Sequence, residues 1–189
     1  VSLNKYKNVK FIWIDAHADI NTYKKSVSKN YHGMPLAFLT GLDKNKYFHF
    51  IKNKLRFNNL CYIGLRDIDS FENKIINKKN ILSLPHNKIN NHLHSTYYYL
   101  SKFINGSPVH ISFDVDSINP NHISSTGTIV SKGLDIYPTK KLLNTLFERE
   151  NVIALDIVEM NMDINKDEYD KSLKNFISLF PNIFNTKNF

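Results

Sequence analysis

A short apolar run that leads directly into acidic residues occurs twice in this chain, and it constrains the fold more than any other feature. The two instances are residues 9–14 followed by Asp15-Ala-His17-Ala-Asp19, and residues 109–113 followed by Asp114-Val-Asp116. Aspartate is almost never fully buried unless it is paired or bound to a metal. Packing alone does not explain these carboxylates, so the pattern predicts a functional site at the ends of strands.

Apolar runs rich in Val, Ile and Phe alternate along the chain with longer amphipathic stretches, which are typical of buried strands and of helices. The predicted strands are residues 11–14, 60–65, 81–84, 109–113 and 152–158. The predicted helices are residues 35–41, 69–77, 90–104, 138–150 and 166–180. This alternation predicts an α/β fold with a parallel sheet and right-handed crossovers. No long linker interrupts the sequence, so we expect a single domain over residues 1–189.

The amino-acid composition limits the kinds of partner that this chain can bind and the compartment in which it works. The net charge of +8 suits an anionic partner, and a basic nucleic-acid-binding domain is an alternative that leaves the acidic clusters unexplained. The lysines are scattered without a basic block, so we predict no nucleic-acid partner. No apolar run approaches the ~20 residues of a membrane span, so we predict no membrane association. One cysteine, Cys61, gives no intrachain disulfide, which indicates a reducing compartment and a cytoplasmic location.

The acidic clusters have the composition of a two-metal site. Residues two apart in an extended segment face the same way, so Asp15, His17 and Asp19 can converge. Asp114 and Asp116 can converge in the same manner. Carboxylates and an imidazole without thiolates favour Mn²⁺ over Zn²⁺, with Fe²⁺ and Co²⁺ as further candidates. A water held between two such ions ionises near neutral pH. The alternative, that these carboxylates cap helix N-termini, would explain one or two of them.

The clusters belong to longer motifs that resemble the arginase branch of the ureohydrolases. The segments are Asp15-Ala-His-Ala-Asp-Ile-Asn-Thr22, Ser28-Lys-Asn-Tyr-His-Gly-Met-Pro35, Leu65-Arg-Asp-Ile-Asp69, Ser112-Phe-Asp-Val-Asp116, Ser125-Thr-Gly-Thr128 and Leu155-Asp-Ile-Val-Glu159. The resemblance implies a three-layer fold, a parallel sheet with helices on both faces, truncated at its N-terminal side. It also implies a manganese-dependent arginase that hydrolyses L-arginine to L-ornithine and urea through a metal-bridging hydroxide.

The resemblance further implies a role for each site residue. The implied metal ligands are Asp15 and Asp114, which bridge two manganese ions, Asp19 for one ion, and His17 with Asp116 for the other. The implied catalytic residues are Asp19, Glu159, and His32 as a proton shuttle. The implied substrate-binding residues are Asn21, Ser28 and Asn30 for the α-carboxylate, Asp67 and Asp69 for the α-amino group, and Thr128 and Glu159 for the guanidinium. Arginase is favoured over agmatinase because agmatine has no α-carboxylate, so Asn21, Ser28 and Asn30 would have nothing to bind in an agmatine-specific site.

The sequence departs from the family pattern at several positions. It lacks the Gly-Gly-Asp-His-Ser segment whose histidine shares a metal with Asp19, and it has Asn119 and Met162 where Asp and Pro are usual. Without that histidine one metal site would be weakened, so a non-catalytic or impaired ureohydrolase relative is the alternative function. The start at Val1 favours a longer protein with further chain upstream. Assembly as a homotrimer is a further implication of the resemblance.

Overall fold

The computed structural model describes residues 1–181, 183 and 184. Residues 182 and 185–189 of the predicted domain therefore lie outside the described residues. The strands are β1 (Lys10–Ile14), β2 (Leu60–Ile63), β3 (Leu82–Leu84), β4 (Val109–Asp114) and β5 (Val152–Val158). They form one sheet in the order β3-β2-β1-β4-β5, and every neighbouring pair is parallel. All five predicted strands are thus confirmed, with shifts at their ends.

Seven α-helices occur in the described part of the chain. They are α1 (Ser2–Lys5), α2 (Pro35–Thr40), α3 (Ser70–Lys78), α4 (His86–Asn91), α5 (Leu93–Ile104), α6 (Ile136–Arg149) and α7 (Tyr169–Leu179). The prediction of one helix over 90–104 is wrong at its start, because the backbone of His92 leaves the helical region (φ −136°, ψ 41°). The hydroxyl of Thr96 lies 3.0 Å from the carbonyl oxygen of Lys88 and 2.8 Å from that of His92, so it links the two helices across this break.

Each face of the sheet packs against helices, as alternating side chains of the strands require. On one face Ile12 and Phe113 pack with Leu100, Leu142 and Phe176 of α5, α6 and α7. On the opposite face the partners are different: Phe11, Trp13 and Tyr62 pack with Leu36 of α2 and Ile76 of α3. The two cores lie on opposite sides of one sheet, and this confirms the three-layer α/β architecture.

The strand order places the ends of β1 and β4 at the centre of the sheet. The chain runs from β1 to β2 and β3 on one side and then crosses to β4 and β5 on the other. Ile14 pairs with Phe113, so Asp15 and Asp114 leave the sheet side by side. Open α/β sheets bind ligands at such a switch point, outside the carboxyl ends of the strands. The topology therefore brings the two acidic clusters to one crevice.

A glycine at the end of β2 permits close packing beside this crevice. Gly64 has a φ of +95°, and a Cβ atom there would lie 3.2 Å from the carbonyl oxygen of Asp15. Only glycine adopts this backbone conformation freely.

No helix within residues 1–181, 183 and 184 combines the length and apolar character needed to cross a membrane.

Candidate metal and substrate site

A cavity of about 380 Å³ opens at the carboxyl ends of β1, β4 and β5. The structure brings most of the predicted site residues into its wall: His17, Asp19, Asn21, Ser28, Asn30, His32, Asp67, Asp69, Asp114, Asp116, Thr128 and Glu159. Asp15 does not line the cavity; it lies beneath it and is 1% exposed. Residues separated by more than 140 positions in the sequence thus meet in one cavity, which is rich in carboxylates.

Three of the five predicted metal ligands form a compact group. Asp15, His17 and Asp116 each offer a ligand atom, and these atoms all lie within 4.8 Å of one another. His17 Nδ1 lies 3.0 Å from an oxygen of Asp116 and 3.6 Å from an oxygen of Asp15. Asp19 and Asp114 line the same cavity but lie outside this three-residue group. The group has the donor set of a metal site.

Burial and mutual repulsion shift the pKa values of the carboxylates that line the cavity or lie beneath it. Burial, with the nearby charge of Asp116, raises the pKa of Asp15 to about 6. Burial together with the charge of Asp15 raises the pKa of Asp19 and of Asp114 to about 9. Hydrogen bonds with Asp116 and Asp15 raise the pKa of His17 to about 11. Carboxylates this close retain protons unless a positive charge lies among them, and a metal ion would displace those protons.

Neighbouring groups hold the candidate ligands in fixed orientations. The indole Nε1 of Trp13 donates to Asp15 Oδ2 over 2.9 Å, and the hydroxyl of Thr128 donates to Asp116 Oδ2 over 2.9 Å. Burial alone would raise the pKa of Asp116, but hydrogen bonds from His17 and Thr128 hold it below its usual range. Partners of this kind fix the orientation of metal ligands. The sequence analysis missed Trp13, although its spacing of two from Asp15 on a strand places both side chains on one face.

Two predicted site residues adopt left-handed backbone conformations. Asp19 has a φ of +50° and Glu159 a φ of +65°. Such values are uncommon for residues other than glycine, and they cluster at functional sites where surrounding contacts impose them. Aspartate adopts this region more readily than most residues, so the conformation of Glu159 is the one that its surroundings impose.

Near Asp69, which is predicted to bind the α-amino group, the buried Glu72 connects the start of α3 to the segment that follows β1. Asp69 is the N-cap of α3, and Glu72 completes a capping box by accepting from the backbone N–H of Asp69. Glu72 also accepts from the N–H of Ile20 over 3.0 Å, and the side-chain amide of Asn21 donates to Asp69. The sequence analysis missed Glu72, which the Asp-x-x-Glu spacing of a capping box could have identified. Helix capping thus accounts for Asp69 but not for the group around His17.

Arg66 was also missed, and it holds the loop that carries Thr128. Its guanidinium donates to five backbone carbonyls, those of Gly64, Asp116, Ser117, Val130 and Ser131. These contacts tie the segment after β4 to the end of β2. No local sequence signal indicated them, because most of the partners lie 50 or more positions away.

Comparisons with known proteins agree with this geometry. Residues 2–174 match the sequence model of the arginase family. Arginase from Neurospora crassa is 39% identical over 162 residues, which are 82% of this chain and 45% of that protein. Arginase from Plasmodium falciparum is 39% identical over 181 residues, which are 91% of this chain and 43% of that protein. The chain spans about half the length of the curated relatives it matches.

Solved structures give the same result. The structure of Entamoeba histolytica arginase in complex with L-ornithine has a TM-score of 0.84 at 30% identity, covering 95% of this chain and 62% of that chain. Arginase from Bacillus caldovelox has a TM-score of 0.86 at 26% identity, covering 94% of this chain and 60% of that one. The resemblance inferred from the motifs is confirmed: the chain belongs to the arginase family.

Proposed function

We propose that this chain carries the catalytic site of a manganese-dependent arginase, which hydrolyses L-arginine to L-ornithine and urea. The observation that carries the proposal is the three-residue group of Asp15, His17 and Asp116 in a carboxylate-lined cavity at the switch point of the sheet. The chain belongs to the arginase family, and one relative was solved in complex with L-ornithine, the product expected here. The cavity's acidic wall suits a cationic substrate such as arginine.

The donor set fits manganese. Carboxylate oxygens and one imidazole are hard or borderline ligands, and the candidate ligands include no thiolate. Two ions per subunit would be held by Asp15, His17 and Asp116 of the three-residue group, together with Asp19 and Asp114 from the wall of the same cavity. When bound, a pair of such ions supplies an ionised water near neutral pH, the nucleophile for hydrolysis.

The chain's other residues would bind and orient the substrate. Glu159 would pair with the guanidinium by charge-assisted hydrogen bonds, with Thr128 beside it. Asn21, Ser28 and Asn30 would receive the α-carboxylate. Fixing both ends of the substrate in this way places the guanidinium carbon for attack, and such positioning lowers the barrier by several kcal/mol. Asp67 and Asp69 would receive the α-amino group.

Proton transfer completes the reaction. When the C–N bond breaks, the leaving amino group of ornithine needs a proton, and the Asp19 carboxylate would carry it from the attacking water. His32 lies in the short turn Tyr31–Gly33 at the exposed edge of the cavity. From there its imidazole would exchange protons between solvent and the site. The homotrimer implied by the family and the cytoplasmic location inferred from the single cysteine stay predictions.

A second candidate function is a non-catalytic or impaired relative that keeps the fold and part of the metal site. It is favoured by the position of Asp19 and Asp114, which line the cavity but lie outside the compact group of Asp15, His17 and Asp116. A metal site with fewer convergent ligands would bind its ion less tightly.

Urea release separates the two candidates. The purified chain, supplied with Mn²⁺ and L-arginine, is expected to release urea, and Asp114→Ala is expected to reduce this to the background rate because it removes a ligand shared by both ions. Circular dichroism of the variant checks that the fold persists. Equal background release from both proteins would support the non-catalytic relative and contradict the arginase proposal for this chain.

A further inference from the structure

A set of aromatic side chains supports the loop that carries the predicted α-carboxylate ligands. We propose that this aromatic buttress, formed by Tyr23, Tyr31, Phe38 and Phe48, holds the loop of residues 22–33 in the conformation that binds the carboxylate of an amino-acid substrate. Tyr31 and Phe48 are then positioning residues. This inference rests on the proposed function, since it concerns how the same site recognises its substrate.

The loop of residues 22–33 has little regular structure of its own. Ser28 and Asn30 are exposed, and Val27, which directly precedes Ser28, is 92% exposed. Its local backbone bonds are few: the N–H groups of Lys25 and Ser26 donate to the carbonyl of Thr22. The other bonds within the loop involve side chains: the N–H of Lys29 donates to Ser26 Oγ and the N–H of Asn30 donates to Ser28 Oγ. Side-chain contacts therefore position this loop.

The aromatic buttress gives the loop a rigid contact beside Asn30. The ring of Tyr31 lies 5.7 Å from Tyr23, 6.0 Å from Phe38 and 5.9 Å from Phe48, measured between centroids. Phe38 and Phe48 stack at 3.8 Å with an angle of 10° between their planes. Phe38 is 2% exposed on α2, so the core fixes one end of the stack. Tyr31 follows Asn30 directly, and its position therefore sets that of Asn30.

Residues 43–48, the segment that contains Phe48, also make polar contacts that hold the loop at two points. Asp43 accepts from the backbone N–H of Tyr23 over 2.7 Å, and the side-chain amide of Asn45 donates to the hydroxyl of Tyr31 over 3.3 Å. Asn45 also caps the short turn Lys46–Phe48, which presents Phe48 to the stack. The two held points lie on either side of Ser28 and Asn30, so residues 43–48 fix the part of the loop that faces the cavity.

Phe48→Ala tests the aromatic buttress, with Phe50→Ala as the matched control. Phe50 is 71% exposed and lies next to Phe48 at 6.1 Å, outside the contacts with the loop. For Phe48→Ala we expect the KM for L-arginine to rise about tenfold while kcat stays within about twofold, because the lost positioning weakens carboxylate binding and leaves the metal site intact. Phe50→Ala is expected to match the parent protein, and Phe48→Tyr to restore its KM.

Two further measurements distinguish positioning from a general loosening of the fold. Inhibition by L-ornithine should weaken about tenfold in Phe48→Ala, whereas inhibition by guanidinium chloride, which has no carboxylate, should not change. Hydrogen exchange should accelerate in residues 22–33 of the Mn²⁺-loaded variant. Equal weakening of both inhibitors, or unchanged KM and exchange, would overturn the inference. If the parent protein releases no urea, the proposed function fails, and the exchange comparison still tests the aromatic buttress.

Discussion

Glu159→Gln is expected to lower kcat/KM for L-arginine by about 100-fold, which corresponds to roughly 3 kcal/mol. Glu159 follows β5 directly, lines the cavity, and is held with a φ of +65°. Glutamine keeps the size of the side chain but removes the charge, so a guanidinium would lose the charge-assisted pair that orients its central carbon. Steady-state urea release across a range of arginine concentrations measures the effect, and manganese content should stay the same.

The control for this variant is Glu148→Gln, the same chemical change at an exposed position on α6. It should retain the kcat/KM of the parent protein. A Glu159→Gln variant with parental kcat/KM would exclude Glu159 from guanidinium binding, and the substrate orientation proposed above would have to be abandoned.

Asp116→Ala is expected to weaken manganese binding by more than roughly 100-fold. Loss of a residue that only hydrogen-bonds to a metal ligand weakens binding by up to about 100-fold, and Asp116 is proposed as a ligand itself. Asp116 is 2% exposed, lies 3.0 Å from His17 Nδ1 and accepts from Thr128. Its removal takes away one member of the three-residue group and the main partner that orients the imidazole. Urea release should fall to background at micromolar Mn²⁺, and calorimetric titration with Mn²⁺ measures the affinity directly.

Asp167→Ala is the matched control, since it removes an exposed aspartate before α7. It should bind manganese as the parent protein does. Parental affinity in Asp116→Ala would contradict the assignment of Asp116 as a ligand, whereas reduced affinity in both variants would indicate a nonspecific effect of charge.

Strands β1, β2 and β4 could be predicted from the sequence because they lie in the middle of the sheet, where both faces are buried and the residues form continuous apolar runs. The edge strands β3 and β5 are less buried, and their apolar composition alone indicated them. The break between α4 and α5 could not be predicted, since residues 89–93 contain neither proline nor glycine. The hydroxyl of Thr96 contacts the carbonyls of Lys88 and His92 and links the two helices across the break. This contact depends on how the two helices lie in the folded chain, so the helical periodicity of the sequence does not predict it.

The candidate site was accessible from the sequence where its residues follow strands, as Asp15 and Asp114 do. The supporting residues were harder to recognise because their partners are distant in sequence. Arg66 binds carbonyls near residues 116 and 131, and Glu72 reaches back to Ile20. Such contacts exist only once the sheet has brought the segments together. The Asp-x-x-Glu spacing signals the cap that Glu72 forms with Asp69 but not its contact with Ile20, and no spacing signals the partners of Arg66.

The metal content of the purified chain tests the central claim most directly. Elemental analysis after loading with Mn²⁺ and removal of free metal is expected to find about two manganese ions per chain at pH 8. Retention should fall at pH 5, because Asp15, Asp19, Asp114 and His17 have raised pKa values in the metal-free cavity and protons then compete for these ligands. Absence of stoichiometric manganese or a comparable divalent ion at pH 8 would contradict the account.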